Sequence, residues 1–421
     1  MPRSLLVLLI ALGLVTTSEA ADWPHRNGPY RNNTTNEVVT AWKEPLKPAW
    51  HVPLGEGYSS PTIADGRLFL HHKLKDQNVE EVVALDAATG KELWKFSYPH
   101  KPFESNVGNG PRAAPCIALG KVYIYGITGI LTCLKAESGE KLWQKNLLEE
   151  SLAPIMMFGA SAGPLVEGSR LYLPIGSPGN SIAAFDVMSG ERIWSSLDDP
   201  PTSVTPVTFS PRIEGVGISR QLLYVSTRGL WGLQPSDGKP LWEFPLTDLL
   251  PIGTVPPPTV VGDTVVTSSM LTGTIAFRLQ NEGGTLKPVE IWRNPGVTCY
   301  FSQSVAIDDQ LYIINATLIP AAEIALSCLE MKTGKELWRK PKVGVYQLNL
   351  IRTGDNKLLM LDDVQGDAIL LDANPQEYRE LARSKVCKPT IINPAIAQGR
   401  LYVRDDEGAT CYALPSAKAN P

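Results

Sequence analysis

An all-β fold, an eight-bladed β-propeller of four-stranded antiparallel blades closed by its N-terminal strand, is predicted by three features of this sequence. One phrase recurs as ALDAATGKELW (84–94), CLKAESGEKLW (133–143), AFDVMSGERIW (184–194), GLQPSDGKPLW (232–242) and CLEMKTGKELW (328–338), with glycine always four residues before tryptophan. The closing aromatic stands at Trp50, Trp94, Trp143, Trp194, Trp242, Trp292, Trp338 and, more weakly, Tyr378, at steps of 44, 49, 51, 48, 50, 46 and 40 residues. A second phrase lies upstream, as in SPTIADGRLF (60–69), APCIALGKVY (114–123), GPLVEGSRLY (163–172) and NPAIAQGRLY (393–402). Self-similarity at a period of about 50 residues marks a propeller or solenoid.

Within a unit, PTIA and RLFLHH are apolar segments joined by a Gly/Asp turn, which signals a hairpin. A variable loop follows, then VVALDA, the Thr-Gly-Lys turn and ELWKFSY. Four antiparallel strands at this period make a blade. Gly90, Gly139, Gly190, Gly238 and Gly334 sit at turn positions where a positive φ would penalise a β-carbon. Pro61, Pro115, Pro164 and Pro394 start the first strand, where a missing N–H does least harm to the ladder. The last unit, NPAIAQGRLYVRDDEGATCYAL (393–414), stops after its third strand, and an orphan fourth strand, KPAWHVPL (47–54), precedes the first unit. Pairing the two closes the ring and protects both edges. The expected organisation is a signal peptide over 1–20, an N-terminal extension over 21–47, the propeller over 48–414 and a tail over 415–421.

The opening MPRSLLVLLIALGLVTTSEA combines Arg3, an apolar run over 5–15 and a Ser18-Glu19-Ala20 ending, so export with cleavage near Ala20 is expected. The run is shorter than the roughly 20 residues that cross a bilayer. No cysteine follows the cleavage point, which argues against a lipid anchor and for a soluble periplasmic or extracellular protein. A net charge of −4 without a long basic run gives nucleic acid no footing as a partner. A monomer is expected.

Cys133, Cys328 and Cys411 share one repeat position, filled elsewhere by Ala84, Ala184, Gly232 and Ala276, which reads as a small-residue slot. Buried free thiols suit such a slot. The pairings Cys116–Cys133, Cys299–Cys328 and Cys387–Cys411 stay open in an exported chain. His71 and His72 are adjacent on a strand, face opposite ways and cannot share a metal. His25, His51 and His100 have no ligand spacing, so no metal site is expected. Asp198-Asp199, Asp308-Asp309, Asp362-Asp363 and Asp405-Asp406-Glu407 have the chemistry of calcium ligands. They lie in turns, where Asp serves local backbone hydrogen bonds, and are read as solvated. No Gly-x-Ser-x-Gly, phosphate loop or dinucleotide fingerprint occurs, and no catalytic residue is assigned.

A functional site belongs at the channel mouth, where the innermost strands begin. Tyr58, Asn109, Arg112, Met157, Gln303, Tyr346, Gln347, Asn349 and Asn393 stand near those starts. Polar and aromatic groups converging on a concavity make a binding site for a ligand or partner. The longest connections are 99–112 and 147–160, where Met156, Met157 and Phe158 offer an apolar patch.

The phrase Asp-x-x-Thr-Gly-x-x-x-Trp at 86–94 resembles the repeat of the pyrroloquinoline quinone (PQQ) family, and DWPHRNGPYRNN (22–33) resembles the opening of exported PQQ-like propellers. The resemblance covers essentially the whole mature chain and implies that the tryptophans staple neighbouring blades without binding quinone. Two branches follow from it. The dehydrogenases imply PQQ held with calcium at the ring centre, yet this chain lacks their adjacent-cysteine pair and any Cys-x-x-Cys-His. The BamB-type branch implies a non-catalytic scaffold that binds a partner surface, here a protein or a polysaccharide. That second branch is the expectation, with no cofactor, and PQQ with calcium is the alternative.

Overall fold

Seven four-stranded antiparallel sheets, with strands in chain order, lie over 62–99, 116–146, 165–196, 207–245, 259–294, 305–344 and 349–385, and the fourth is interrupted after its first strand by a small hairpin, Arg212–Ile213 with Gly217–Ile218. The eighth joins Ala395–Ala397, Arg400–Arg404 and Gly408–Ala413 to Pro48–Pro53, with Trp50 opposite Cys411, so the ring closes on the N-terminal strand as predicted. The computed structural model describes residues 22–199, 204–246, 256–299, 301–317, 323–345 and 347–415. The expected signal peptide, Tyr346 and the tail beyond Pro415 lie outside the described residues. We number the blades one to eight in this order.

One row of side chains repeats across the blades. In the first it runs Phe69, Ala84, Trp94 on the second, third and fourth strands; in the second, Tyr123, Cys133, Trp143; in the eighth, Tyr402, Cys411, Trp50. The middle slot is small because it lies between two large rings. A β-carbon on Gly232 would meet the Trp242 ring at 2.1 Å. The ladder shifts register directly after the slot, as at Ala84/Leu85 and Cys133/Leu134, a bulge that strengthens the local twist.

The tryptophans then reach into the next blade. Indole N–H groups donate to backbone carbonyls there: Trp50 to Ala87 (3.2 Å), Trp94 to Ala136 (3.0 Å), Trp143 to Val187 (3.4 Å), Trp194 to Pro235 (3.1 Å), Trp292 to Met331 (2.9 Å) and Trp338 to Asn374 (2.8 Å). Each of the five phrase glycines has φ between +68° and +74°. They also lie flat against a tryptophan of the preceding blade, Gly139 on Trp94 for example, where a β-carbon would come within 2.5 Å of the ring.

Two expectations need correction. Trp242 lacks the inter-blade bond and donates to Gln221 Oε1 in its own blade at 2.6 Å, because the fifth blade replaces the Thr-Gly turn by a long hairpin, Gly273–Glu282 and Thr285–Asn294. Its ring still meets Phe277 of that blade edge-on at 5.6 Å. Tyr378 is not the closing residue of the seventh blade. There Ala382 pairs with Leu370, the inverse of the small–Trp pair, so large and small have exchanged strands.

Residues 22–37 cross the ring. His25 Nδ1 is 3.2 Å from Cys116 Sγ at the second blade, and Asn27 donates to Gln303 beside the sixth at 2.7 Å. Arg31 donates to Val166 O in the third blade at 2.6 Å, while Asn33 O accepts from Arg352 N–H in the seventh at 2.8 Å. Blades two and six, like three and seven, are opposed in an eight-membered ring, so this segment spans the channel. It is anchored by fully buried Trp23, paired with Ile63 of the first blade, and by Glu37, which accepts from Gln398 and Gly399 N–H. The turns after the inner strands are thereby covered, and the blade connections lie on the opposite face. On that opposite side Arg404 ties the closing blade to the first by donating to Ser59 O and His71 O, both at 2.8 Å.

Candidate functional site

The structure divides the nine predicted channel-mouth residues. Tyr58, Asn109 and Arg112 organise the loop between the first and second blades. Arg112 lies 5.6 Å over the Tyr58 ring and donates to Val107 O (2.9 Å) and Gly108 O (2.8 Å). Tyr58 N–H donates to Pro111 O at 2.8 Å, and Asn109 Oδ1 accepts from Ser105 N–H at 2.9 Å. Burial lowers the basicity of Arg112. Asn109 and Met157 join Glu104–Val107 around an open concavity of about 550 Å³. Met157 is 58% exposed and Leu152 91%, with Val107, Ile155 and Met156 also exposed.

Gln303, Gln347, Asn349 and Asn393 are instead buried around the channel. Gln303 donates to Pro258 O at 2.9 Å, linking the sixth blade to the fifth. Gln347 donates to Asn393 Oδ1 at 3.4 Å, linking seventh to eighth, and Asn349 Nδ2 has no partner among the described residues. Tyr346 falls outside the described residues.

The reading of the acid pairs as solvated is overturned for four members. Asp199, Asp362, Asp363 and Asp405 are buried. Asp363 accepts from Val345 and Gln347 N–H, and Asp405 from Lys388, Glu407 and Gly408 N–H. Loops that turn inward above the ring bring N–H groups that have no strand partner, and these carboxylates satisfy them. Among the described residues no three of His, Cys, Asp and Glu gather as metal ligands. All six cysteines are buried free thiols, which settles the open pairings. In the slot, burial pushes the Cys133 and Cys411 thiols up to about 12.

His71 and His72 do face opposite ways. His71 Nε2 lies 3.1 Å from Tyr98 Oη and 3.3 Å from Glu80 Oε2. Tyr98 also donates to Glu80, and Ile127 N–H of the second blade donates to Glu80 Oε1 at 2.8 Å. Burial opposes ionisation of Glu80, but the bonds from His71, Tyr98 and Ile127 outweigh it and hold the carboxyl below its ordinary range. None of this network was visible in the sequence, since its partners are joined only by the fold.

His72 is pushed down to about 4 by burial, with Arg404 and His71 adding repulsion. Glu81, 3.6 Å from Nε2, draws the other way and is outweighed. A histidine that is neutral when folded and ordinary when unfolded costs stability as pH falls from about 6.5 towards 4, by up to roughly 3 kcal/mol. Denaturant unfolding at pH 7 and pH 4.5 is expected to show this loss, and His72→Gln to reduce it. An equal loss in the variant would remove His72 from the account.

The model of the family described as "Outer membrane protein assembly factor BamB" matches residues 30–96 and 78–340. A protein so described from Burkholderia pseudomallei (strain K96243) is 25% identical over 201 residues, 47% of this chain and 48% of its own length. The dehydrogenase subunit of a quinone alcohol dehydrogenase from Gluconacetobacter polyoxogenes is 26% identical over 231 residues, 49% of this chain and 29% of its own. The chain thus spans about half or less of the length of these relatives. The crystal structure of BamB from Moraxella catarrhalis superposes with a TM-score of 0.60 at 16% identity, over 89% of this chain and 99% of that one, a likeness of fold.

Proposed function

Because the chain belongs to the BamB-type family of PQQ-like repeat propellers, we propose that it is an exported, non-catalytic scaffold that binds a protein of outer-membrane assembly through its loop face. The observation that carries this reading is a set of exposed apolar side chains on two loops, Val107 and Met157 lining the concavity and Leu152, Ile155 and Met156 on the same loop as Met157. Contiguous exposed apolar surface is rare on a protein that functions alone and marks interaction sites. The test is a photo-crosslinking residue at position 157, with a control at exposed Ile218 in the small hairpin between the two inner strands of blade four, in cells exporting the chain. A protein adduct is expected at 157 only, and Leu152→Asp should abolish it. No adduct, a polysaccharide adduct, or equal adducts at both positions would overturn the reading.

The alternative, an oxidoreductase using PQQ and calcium, draws on the alcohol dehydrogenase relative. The described residues do not fit that group. Asp363 and Asp405, the buried carboxylates beside the inner strands, already accept two and three backbone N–H groups. The channel is crossed by residues 25–31, leaving a cavity of about 30 Å³ beside them. That holds about two water molecules, far less than a tricyclic quinone needs. Calorimetry with PQQ and calcium is expected to give no saturable heat, and saturable binding would reinstate the alternative.

A further inference from the structure

The segment that crosses the channel carries His25, Arg26, Asn27 and Arg31 into that small cavity. Its walls come from the residues leading into the inner strands of blades two to five, such as Pro115, Pro164, Pro206 and Pro257, so it lies towards the side of the ring that carries the blade connections. Two guanidinium groups therefore stand inside a largely apolar collar. Among the described residues neither has a carboxylate in ion-pair range. Glu167, the acid that acts on Arg31 through space, is held by Arg220. Arg31 satisfies one nitrogen on Val166 O, while its Nε is buried without a partner, as is Asn27 Oδ1. Burial lowers the basicity of Arg26 with no acid compensating it. A guanidinium nevertheless stays protonated in proteins.

Both side chains are half-buried, and a cation held there with no carboxylate in range is best paired by an anion entering the cavity. We propose that Arg26 and Arg31 form the floor of a binding site in the channel for a small oxyanion, the carboxylate or phosphate group of a ligand. The planar fork of arginine matches such groups bidentately, which lysine cannot do. The cavity volume suits one such head group and excludes a bulky ligand at this depth, so the remainder of any larger ligand extends along the channel towards the side of the blade connections. This site is independent of the loop-face reading, and the failure of either leaves the other standing.

The test is calorimetric titration of the purified chain with inorganic phosphate and, separately, acetate at fixed ionic strength, repeated on Arg26→Gln and Arg31→Gln. Thermal melts of each variant in chloride accompany it. Saturable binding of at least one anion is expected, weakened tenfold or more in Arg26→Gln. Preference for phosphate or for acetate identifies which head group the site takes. The melt of Arg26→Gln in chloride is expected to equal or exceed that of the parent, since a half-buried cation without a carboxylate partner has been removed. No saturable heat with either anion would overturn the proposal, as would binding unchanged in Arg26→Gln. A lowered melt of that variant without anion would assign Arg26 a structural role and overturn it equally.

Discussion

Trp94→Ala is expected to lower the stability of the ring by about 3–5 kcal/mol, the usual cost of truncating a buried tryptophan. The ring lies 5.9 Å from Phe69 in its own blade, donates to Ala136 O in the next, and rests on Gly139. The contact with glycine allows a sharper test than the single substitution. Gly139→Ala meets two penalties, a left-handed φ of +72° and a β-carbon 2.5 Å from Trp94. Gly120 has nearly the same φ, +69°, with nothing within 4 Å. Gly120→Ala should therefore cost only the conformational term, about 1–2 kcal/mol, and Gly139→Ala clearly more. In the Trp94→Ala background the excess should vanish, because the atom it struck is gone. A double-mutant cycle of denaturant midpoints reads this coupling directly. Additive costs would mean that the glycine and the indole do not act as one staple.

That staple explains why the architecture was legible. A propeller is held by one local geometry used many times, and repetition makes it visible as a spacing. Legibility failed where the geometry was changed. The Leu370–Ala382 pair puts the larger side chain on the third strand and the smaller on the fourth, the reverse of a small–Trp pair, so no phrase marks the seventh blade and Tyr378 is not its closing residue. Trp242 has the phrase, but its partner turn was lost from the following blade, which no reading of residues 232–242 reveals. The channel-spanning segment occurs once and has no period, so it read only as an extension.

The candidate site was half legible for a related reason. Polar residues near strand starts can be named from the sequence. Which of them are consumed by the fold depends on distant partners. Asn27 and Gln303, which bond, are 276 positions apart, and Arg404 reaches Ser59 across 345. Gln303, Gln347 and Asn393 proved to be links between blades, whereas Asn109 and Met157 border open space. The exposed apolar side chains rest on loops whose length already departs from the repeat, and that departure is the signal that survives.

Glu80→Ala should be comparably severe and should act on that same loop. The carboxylate is fully buried and receives Tyr98 Oη–H and Ile127 N–H, with His71 beside it. Removing it orphans these donors inside the protein, and breaking a buried charged network typically costs about 3–5 kcal/mol. Gly126 is moulded to the pair, since a β-carbon there would lie 2.3 Å from Glu80 Oε2 and 2.6 Å from Tyr98 Oη. Glu80→Gln keeps an acceptor for Ile127 and an amide beside Tyr98, so it should lose less than half as much. Equal losses would mean that the charge, not the hydrogen bonding, holds the site. Tyr98 leads straight into the loop that carries Val107, Asn109 and Arg112, and Ile127 O accepts from Ala160 N–H at the end of the loop that carries Met157. Both loops are thus rooted on either side of one buried carboxylate. If the loop face binds the partner, folded Glu80→Ala protein should lose the crosslink at position 157 before it loses the ring. A crosslink retained until global unfolding would show that the loops hold their shape without Glu80.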